Sequence, residues 1–171
     1  MKAIHATVIL AALVAAPAAA QQQGHQHDHQ HGHQDGQKQD SAFHALQARG
    51  KIAMGVDQYT SSHVFEDLPD GGRIELQRDV DDPEGVKVIR AHLREIADVF
   101  SKGDFSIPAF VHMRAVPGTE TMAAKRSVIT YTFRELPRGG EVRIRTRDKE
   151  AIRAIHEFLA FQRADHRTGQ H

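Results

Sequence analysis

One pattern occurs twice in this chain at a constant offset of 68 residues, and it restricts the fold more than any other feature. Residues 63–76 read HVFEDLPDGGRIEL, and residues 131–144 read YTFRELPRGGEVRI. In each copy apolar and polar residues alternate on both sides of a Pro-x-Gly-Gly segment, which is typical of a β-hairpin. The paired glycines permit the positive φ angles that tight hairpin turns need. The sequence therefore predicts two hairpins related by an internal duplication.

A helix is predicted after each hairpin. From Pro83 to Ser101, and again from Asp148 to about Ala164, apolar residues recur at helical spacing, and Asp148 is a suitable N-cap. Two strand–turn–strand–helix units predict an α+β fold, in which the two ββα units form one four-stranded antiparallel sheet with the helices packed on one face. The connection over 102–125 is predicted to be mostly irregular, with a short strand at Ala109 to Met113.

The first residues predict export. Lys2 precedes an apolar stretch from Ala6 to Ala16, and the small residues Ala18 to Ala20 provide a cleavage pattern. Residues 1–20 are therefore predicted to be a signal peptide, with Gln21 as the new N-terminus. The apolar stretch is shorter than the roughly 20 residues of a membrane span. We expect the periplasm, with secretion as the alternative, and no membrane insertion after cleavage.

Residues 21–40 contain no apolar residue and are predicted to be a disordered, histidine-rich tract, because such a segment cannot bury enough surface to offset its ordering entropy. We call this segment the histidine tract. Residues 41–171 are predicted to form a single α+β domain. That domain would begin with a short helix near Ser41, interrupted at Gly50.

Composition excludes several classes of function. The chain has 22 Lys and Arg against 22 Asp and Glu, so neither nucleic acid nor an anionic membrane is expected as the main partner. It has no cysteine, which excludes disulfides, thiolate metal sites and cysteine nucleophiles. It also carries no sequence signature of a serine hydrolase, zinc protease, phosphate loop or dinucleotide site. An enzyme of unknown class is therefore the third and last of the function classes considered below, and no organic cofactor is expected.

Histidine is unusually frequent in this chain, with 13 residues. Imidazole suits copper, zinc and nickel, and a flexible chain can place several rings around one ion. In the folded domain, histidine together with thioether sulfur favours copper, with zinc or nickel as alternatives. The alternative for the domain residues is a structural role. The histidines would then be hydrogen-bonded in the core, and the methionines would fill space between other apolar side chains. The candidate metal ligands are His25, His27, His29, His31 and His33 in the tract, and His63, His112, Met54 and Met122 in the domain.

Two further groups of side chains are predicted to have structural roles. His92 and His156 are expected at partly solvated boundaries of the two helices, bonded to backbone or carboxylate, and His166 near the carbonyl end of the last helix. The alternating arginines from Arg143 to Arg147 are expected on an exposed sheet face.

A series of short motifs occurs along most of the folded part. They are Met54-Gly55-Val56-Asp57-Gln58, Thr60, His63, Asp70-Gly71-Gly72, Ile89-Arg90-x-His92-Leu93, Gly103-Asp104-Phe105, Pro108, His112, Pro117-Gly118, Met122, His156-x-Phe158-Leu159-x-Phe161-Gln162 and His166-x-Thr168-Gly169. In these motifs the chain resembles a group of short exported bacterial proteins of unsettled function. The resemblance covers roughly Met54 to Gly169 and does not include the histidine tract. It implies export and carries no mechanism.

Together these features favour an exported metal-binding protein that acts as a binder, buffer or carrier. Its expected partners are metal ions and another protein of the cell envelope. The second alternative is an interaction or ligand-binding module of the envelope whose ligand is not a metal. That module would use the 102–125 connection and the helix histidines.

Overall fold

The computed structural model describes residues 29–57 and 60–168, and within them the side chains from Asp40 onward. The predicted signal peptide and residues 21–28 of the histidine tract lie outside the described residues. The described elements are α1 (His29–Met54), β1 (Ser61–Leu68), β2 (Gly71–Arg78), α2 (Pro83–Ser101), α3 (Ser106–His112), α4 (Thr119–Ala124), a 3-10 turn (Arg126–Val128), β3 (Thr130–Leu136), β4 (Gly139–Arg145) and α5 (Lys149–Asp165).

The predicted fold class is confirmed. The four strands form one antiparallel sheet in the order β1-β2-β4-β3, so the two hairpins meet through their second strands. Ile74 lies opposite Val142 at this junction, and these are the same position in the two copies of the sequence pattern. Helix α5 packs on β1 and β2, and α2 packs on β3 and β4. Both helices cover the face that carries Leu76 and Ile144, which are almost completely buried.

The glycines of the hairpins have a different role from the predicted one. The hairpin loops are Pro69-Asp70 and Pro137-Arg138, and the paired glycines begin the second strands. Of these four glycines only Gly71 has a positive φ angle, 137°. A Cβ atom on Gly72 would lie 2.2 Å from Leu159 Cδ1 of α5. The absence of that atom therefore lets the helix approach the sheet closely.

The two helices that cover the sheet, α2 and α5, both begin at an aspartate cap. The Asp148 side chain accepts hydrogen bonds from the backbone N–H groups of Glu150 and Ala151, which confirms the predicted N-cap of α5. Asp82 accepts from the N–H of Gly85 at the start of α2. These bonds satisfy backbone donors that have no partner within the helix.

The prediction for the connection between the halves is wrong. Its residues form α3 and α4, and the expected strand at Ala109 to Met113 is absent because these positions complete α3 and its end. Pro108 is the third residue of α3. In the first turn of a helix proline breaks no hydrogen bond, because the N–H there has no intrahelical acceptor.

Helix α1 is longer than predicted and is not interrupted at Gly50. It begins at His29, so its backbone extends into the histidine tract. Asp40, the last residue of the tract, is exposed. The last turns of α1 bury Leu46 and Met54 against the rest of the domain. No helix within residues 29–57 and 60–168 is long and apolar enough to cross a membrane.

Candidate functional site

A small cavity lies between six elements of the fold, and four histidines line it. Its volume is about 80 Å³. Most of its wall is apolar and comes from β1, β2 and the helices α1, α2, α3 and α5. We call it the histidine cavity. Its polar lining residues are His63, His92, His112, Gln162 and His166, and Met54 contributes the thioether.

Each histidine comes from a different element. His63 lies in β1 on the same face as Phe65, and the two rings stack with 5.7 Å between their centroids. His92 lies in α2, and His112 is the last residue of α3. His166 is the C-cap residue of α5. The cavity therefore exists only when all of these elements are docked.

The ring of His166 lies against two of the other histidines. It stacks on His63 with 5.7 Å between the centroids and 25° between the planes. It also contacts the ring of His112 edge to face at 5.2 Å. His63 and His112 thus lie on the same side of the sheet, on either side of His166.

Two ring nitrogens of the cavity histidines have no hydrogen-bond partner among the described residues. They are Nδ1 of His63 and Nδ1 of His92, and both are buried. Buried polar atoms in folded proteins are almost always paired with protein or water, so exceptions require an explanation. A ligand that uses these lone pairs would provide one.

Burial keeps three of these imidazoles neutral. It lowers the pKa of His63 to about 3, with further lowering by His166 and His92. Burial also lowers the pKa of His92 to about 4. For His166, burial and then His112 lower the pKa to about 4, against a raising effect of Asp165. At neutral pH each of these rings is uncharged, so one of its two nitrogens carries no proton, which is the state that a metal requires of a histidine ligand.

His112 differs from His63 and His92, because both of its ring nitrogens face oxygen atoms. Nδ1 lies 2.5 Å from Asp165 Oδ2, and Nε2 lies 3.0 Å from Gln162 Oε1. Its side chain is completely buried. His112 therefore ties the end of α3 to α5, and it has no nitrogen left for a ligand without breaking one of these bonds.

The structure brings together part of the predicted metal set. His63, His112 and Met54 line the same cavity. Met122 does not line it, because its side chain is completely buried in the core near α5. Within residues 29–57 and 60–168, no group of three or more histidine, aspartate or glutamate side chains stands positioned to hold a metal ion. In the histidine tract, His25 and His27 lie outside the described residues, and only the backbone of His29, His31 and His33 is described.

The cavity contains two histidines to which the sequence interpretation gave structural roles. His92 was expected at a solvated boundary, and its ring lines the cavity instead. His166 lies at the end of α5 as expected, and its ring lines the cavity as well. Periodicity could not reveal this, because their burial depends on α1 and α3. The sequence feature that could have indicated these two histidines is the resemblance to the exported bacterial proteins, because its pattern contains both residues. For His156 the structural expectation is confirmed, since its Nε2 lies 3.0 Å from the carbonyl oxygens of Leu68 and Gly71.

The expected exposed arginine face is wrong for Arg143. This side chain is buried and donates to the Gly72 carbonyl oxygen at 2.8 Å and to Asp70. It ties the first hairpin turn to β4. Arg145 and Arg147 are exposed as expected.

Comparison with models of protein families, with curated proteins and with solved structures finds no match for this chain.

Proposed function

We propose that this protein is an exported metal-binding protein, most favourably for copper, that acts as a binder, buffer or carrier. The observation that carries the proposal is the pair of buried Nδ1 atoms on His63 and His92, which have no hydrogen-bond partner among the described residues. Both rings line one cavity with the thioether of Met54. His63, His92 and Met54 are the proposed ligands in the domain.

The size of the cavity supports a small ligand. Sites for organic ligands and cofactors usually measure about 300–1,000 Å³. A cavity of about 80 Å³ is too small for such a molecule. It has room for one metal ion with water, and its two imidazoles and sulfur supply the donor atoms.

The type of donor favours copper over zinc. Protein zinc sites usually have four ligands drawn from nitrogen, oxygen and thiolate. Two imidazoles with a thioether are instead a set suited to copper, above all Cu(I), because thioether sulfur is a soft donor. Zinc and nickel are the alternatives. Side-chain rotation of His63 and His92 would have to bring their nitrogens to about 4 Å from one another, since each metal–nitrogen bond is about 2 Å.

The histidine tract would form a second, separate class of site. In α1 the backbone rises about 1.5 Å per residue, which places His31 about 35 Å from Met54 along the helix. The tract therefore cannot share an ion with the cavity while α1 is intact. It would capture ions weakly in the periplasm, because ordering its imidazoles has an entropic cost. The domain would retain one ion or pass it to another envelope protein.

Metal titration of the whole mature chain from Gln21 tests this proposal. Cu(I), Zn(II) and Ni(II) are each added to the protein at low micromolar concentration, and stoichiometry is measured. A variant with all five tract histidines replaced by serine should keep one tight equivalent of copper. His63→Phe should lose that equivalent and keep the weak tract binding.

His44→Phe is the matched control, since His44 is an exposed histidine of α1 outside the cavity. It should retain the tight equivalent. If the tract variant binds no copper tightly, the domain site does not exist and only the tract proposal survives.

A second candidate function is a binding module for a ligand that is not a metal. The observation that favours it is the lack, among the described residues, of three ligating carboxylates or imidazoles grouped around one point. In that case the unpartnered nitrogens would bind water or a small neutral molecule. The same titration separates the candidates, because this module would bind no tight equivalent of copper once the tract histidines are replaced.

A further inference from the structure

A second concave site lies on the surface next to the histidine cavity. It has a volume of about 460 Å³ and is formed by α1, the end of α3 and the end of α5. We call it the arginine groove. The ring of His112 lines both the groove and the cavity. The other groove residues used below are Phe43, Leu46, Arg49, Arg114, Asp165 and Arg167.

The charge of the groove excludes a bare metal ion as its ligand. Three guanidinium groups line it against one carboxylate, that of Asp165. A second carboxylate, Asp40, lies at the margin, 3.6 Å from Arg167 and mostly exposed. The remaining positive charge repels a free cation and attracts an anion.

Two of the three arginines are held in place by aromatic rings. The guanidinium of Arg114 lies over the ring of Phe161 at 4.6 Å, and that of Arg167 lies over Phe43 at 4.1 Å. Stacking fixes the plane of a guanidinium and leaves its N–H edge available for hydrogen bonds. Such a planar edge suits the two oxygens of a carboxylate.

Most of the donors are not used within the described part of the chain. Each guanidinium has five N–H groups. Arg49 donates through Nε to the Val111 carbonyl oxygen at 2.7 Å. Arg114 donates through one terminal nitrogen to Asp165 at 3.1 Å. The remaining N–H groups can serve a ligand without loss of these bonds.

We propose that the arginine groove binds a small organic carboxylate with an apolar body. Arg114 and Arg167 would hold the carboxylate, and the side chains of Phe43 and Leu46 would contact the apolar part. The volume lies within the usual range for small-molecule sites. This proposal goes beyond metal binding and does not rest on it.

Calorimetric titration of the metal-free mature chain with benzoate tests the proposal. We expect saturable binding that weakens as salt increases, because the guanidiniums are at the surface. Arg114→Gln should weaken binding about tenfold or more, since a neutral amide cannot form the paired, charge-assisted hydrogen bonds to the carboxylate. Arg114→Lys keeps the charge without the planar edge and should give an intermediate loss.

Arg153→Gln is the matched control, because Arg153 is an exposed arginine of α5 that does not line the groove. It should bind benzoate as the unchanged chain does. Circular dichroism confirms that each variant is folded. Inorganic phosphate is the second probe.

Benzoate that does not bind, or that binds the Arg114→Gln variant equally well, overturns the proposal. If phosphate binds more tightly than benzoate, the proposal that the ligand has an apolar body is wrong. Copper binding at the histidine cavity is measured separately, without carboxylate, so the failure of one proposal leaves the other standing.

Discussion

The imidazole of His166 stacks on that of His63, with 5.7 Å between the ring centroids. The first residue caps the last helix, and the second lies in the first strand of the sheet. The contact therefore exists only after the C-terminal end of α5 has docked on β1. Any change in that docking should alter the histidine cavity together with the stability of the fold.

The buried histidines predict that stability falls at mildly acidic pH. In the unfolded chain their pKa is about 6.5, whereas in the folded chain it is about 3 for His63 and about 4 for His92 and His166. The unfolded state therefore binds more protons below pH 6.5. The contribution of these histidines to the free energy of unfolding is fully present above that pH. It decreases as the pH falls towards 4, by at most about 1.4 kcal/mol per pH unit for each histidine.

Urea denaturation of the metal-free protein at pH 7 and pH 5 measures this effect. The window lies above the ordinary carboxyl pKa range, so carboxylates contribute little. His63→Phe should reduce the loss between the two pH values, and His44→Phe should leave it unchanged. Equal losses in the two variants would contradict the assignment of the effect to the cavity.

The thioether of Met54 predicts a metal preference. Met54→Leu should weaken Cu(I) binding strongly and Zn(II) binding little, because leucine keeps the apolar volume and removes the soft donor. Competition titrations with both metals measure the change. Met122→Leu is the control, since Met122 is fully buried outside the cavity. It should change stability by less than about 1.5 kcal/mol and leave copper binding as it is.

The Asp165–His112 contact predicts a structural effect. Asp165→Ala leaves the buried Nδ1 of His112 without its 2.5 Å partner, which should cost about 1–3 kcal/mol of stability. Asp98→Ala removes a carboxylate of comparable type from an exposed helical ion pair with Lys102. It should cost less than about 1 kcal/mol. Similar costs for the two substitutions, measured by urea denaturation, would show that His112 does not depend on Asp165.

Gly50 predicts a stabilising substitution. A Cβ atom there would have only Met54 Cε as a neighbour, at 3.6 Å, which is ordinary van der Waals contact. Gly50→Ala should therefore raise stability by roughly 1 kcal/mol through helix propensity. Gly118→Ala is the contrasting variant, because its φ is 81° and its Cβ would lie 2.1 Å from the Ala154 carbonyl oxygen. It should be clearly destabilised in thermal melts.

The sheet and its two helices could be predicted because their signals are local. Alternation around Phe65 and Ile74 defines the first hairpin, and the spacing in α2 is that of an amphipathic helix. The helices of the connection could not be predicted in this way. Proline is unfavourable inside a helix, and only its place in the first turn makes Pro108 compatible with α3.

The candidate site was predicted only in part, since burial there comes from contacts between distant elements. His63 and Met54 were candidates because of residue type. The aspartate and glutamine partners of His112 come from α5, at the other end of the domain. No local sequence pattern indicates such partners. Likewise, the burial of His92 depends on helices whose packing against it could not be predicted from the sequence.

The unpartnered nitrogens of His63 and His92 have a consequence for the life of the protein in the cell. An unsatisfied buried polar atom costs about 1–3 kcal/mol, so a ligand that uses both nitrogens stabilises the folded chain. Proteases degrade unfolded chains, and small changes in stability alter abundance several-fold. Loaded molecules would then persist while unloaded ones are degraded. The amount of this protein would follow the supply of its ligand without any separate regulator of its synthesis.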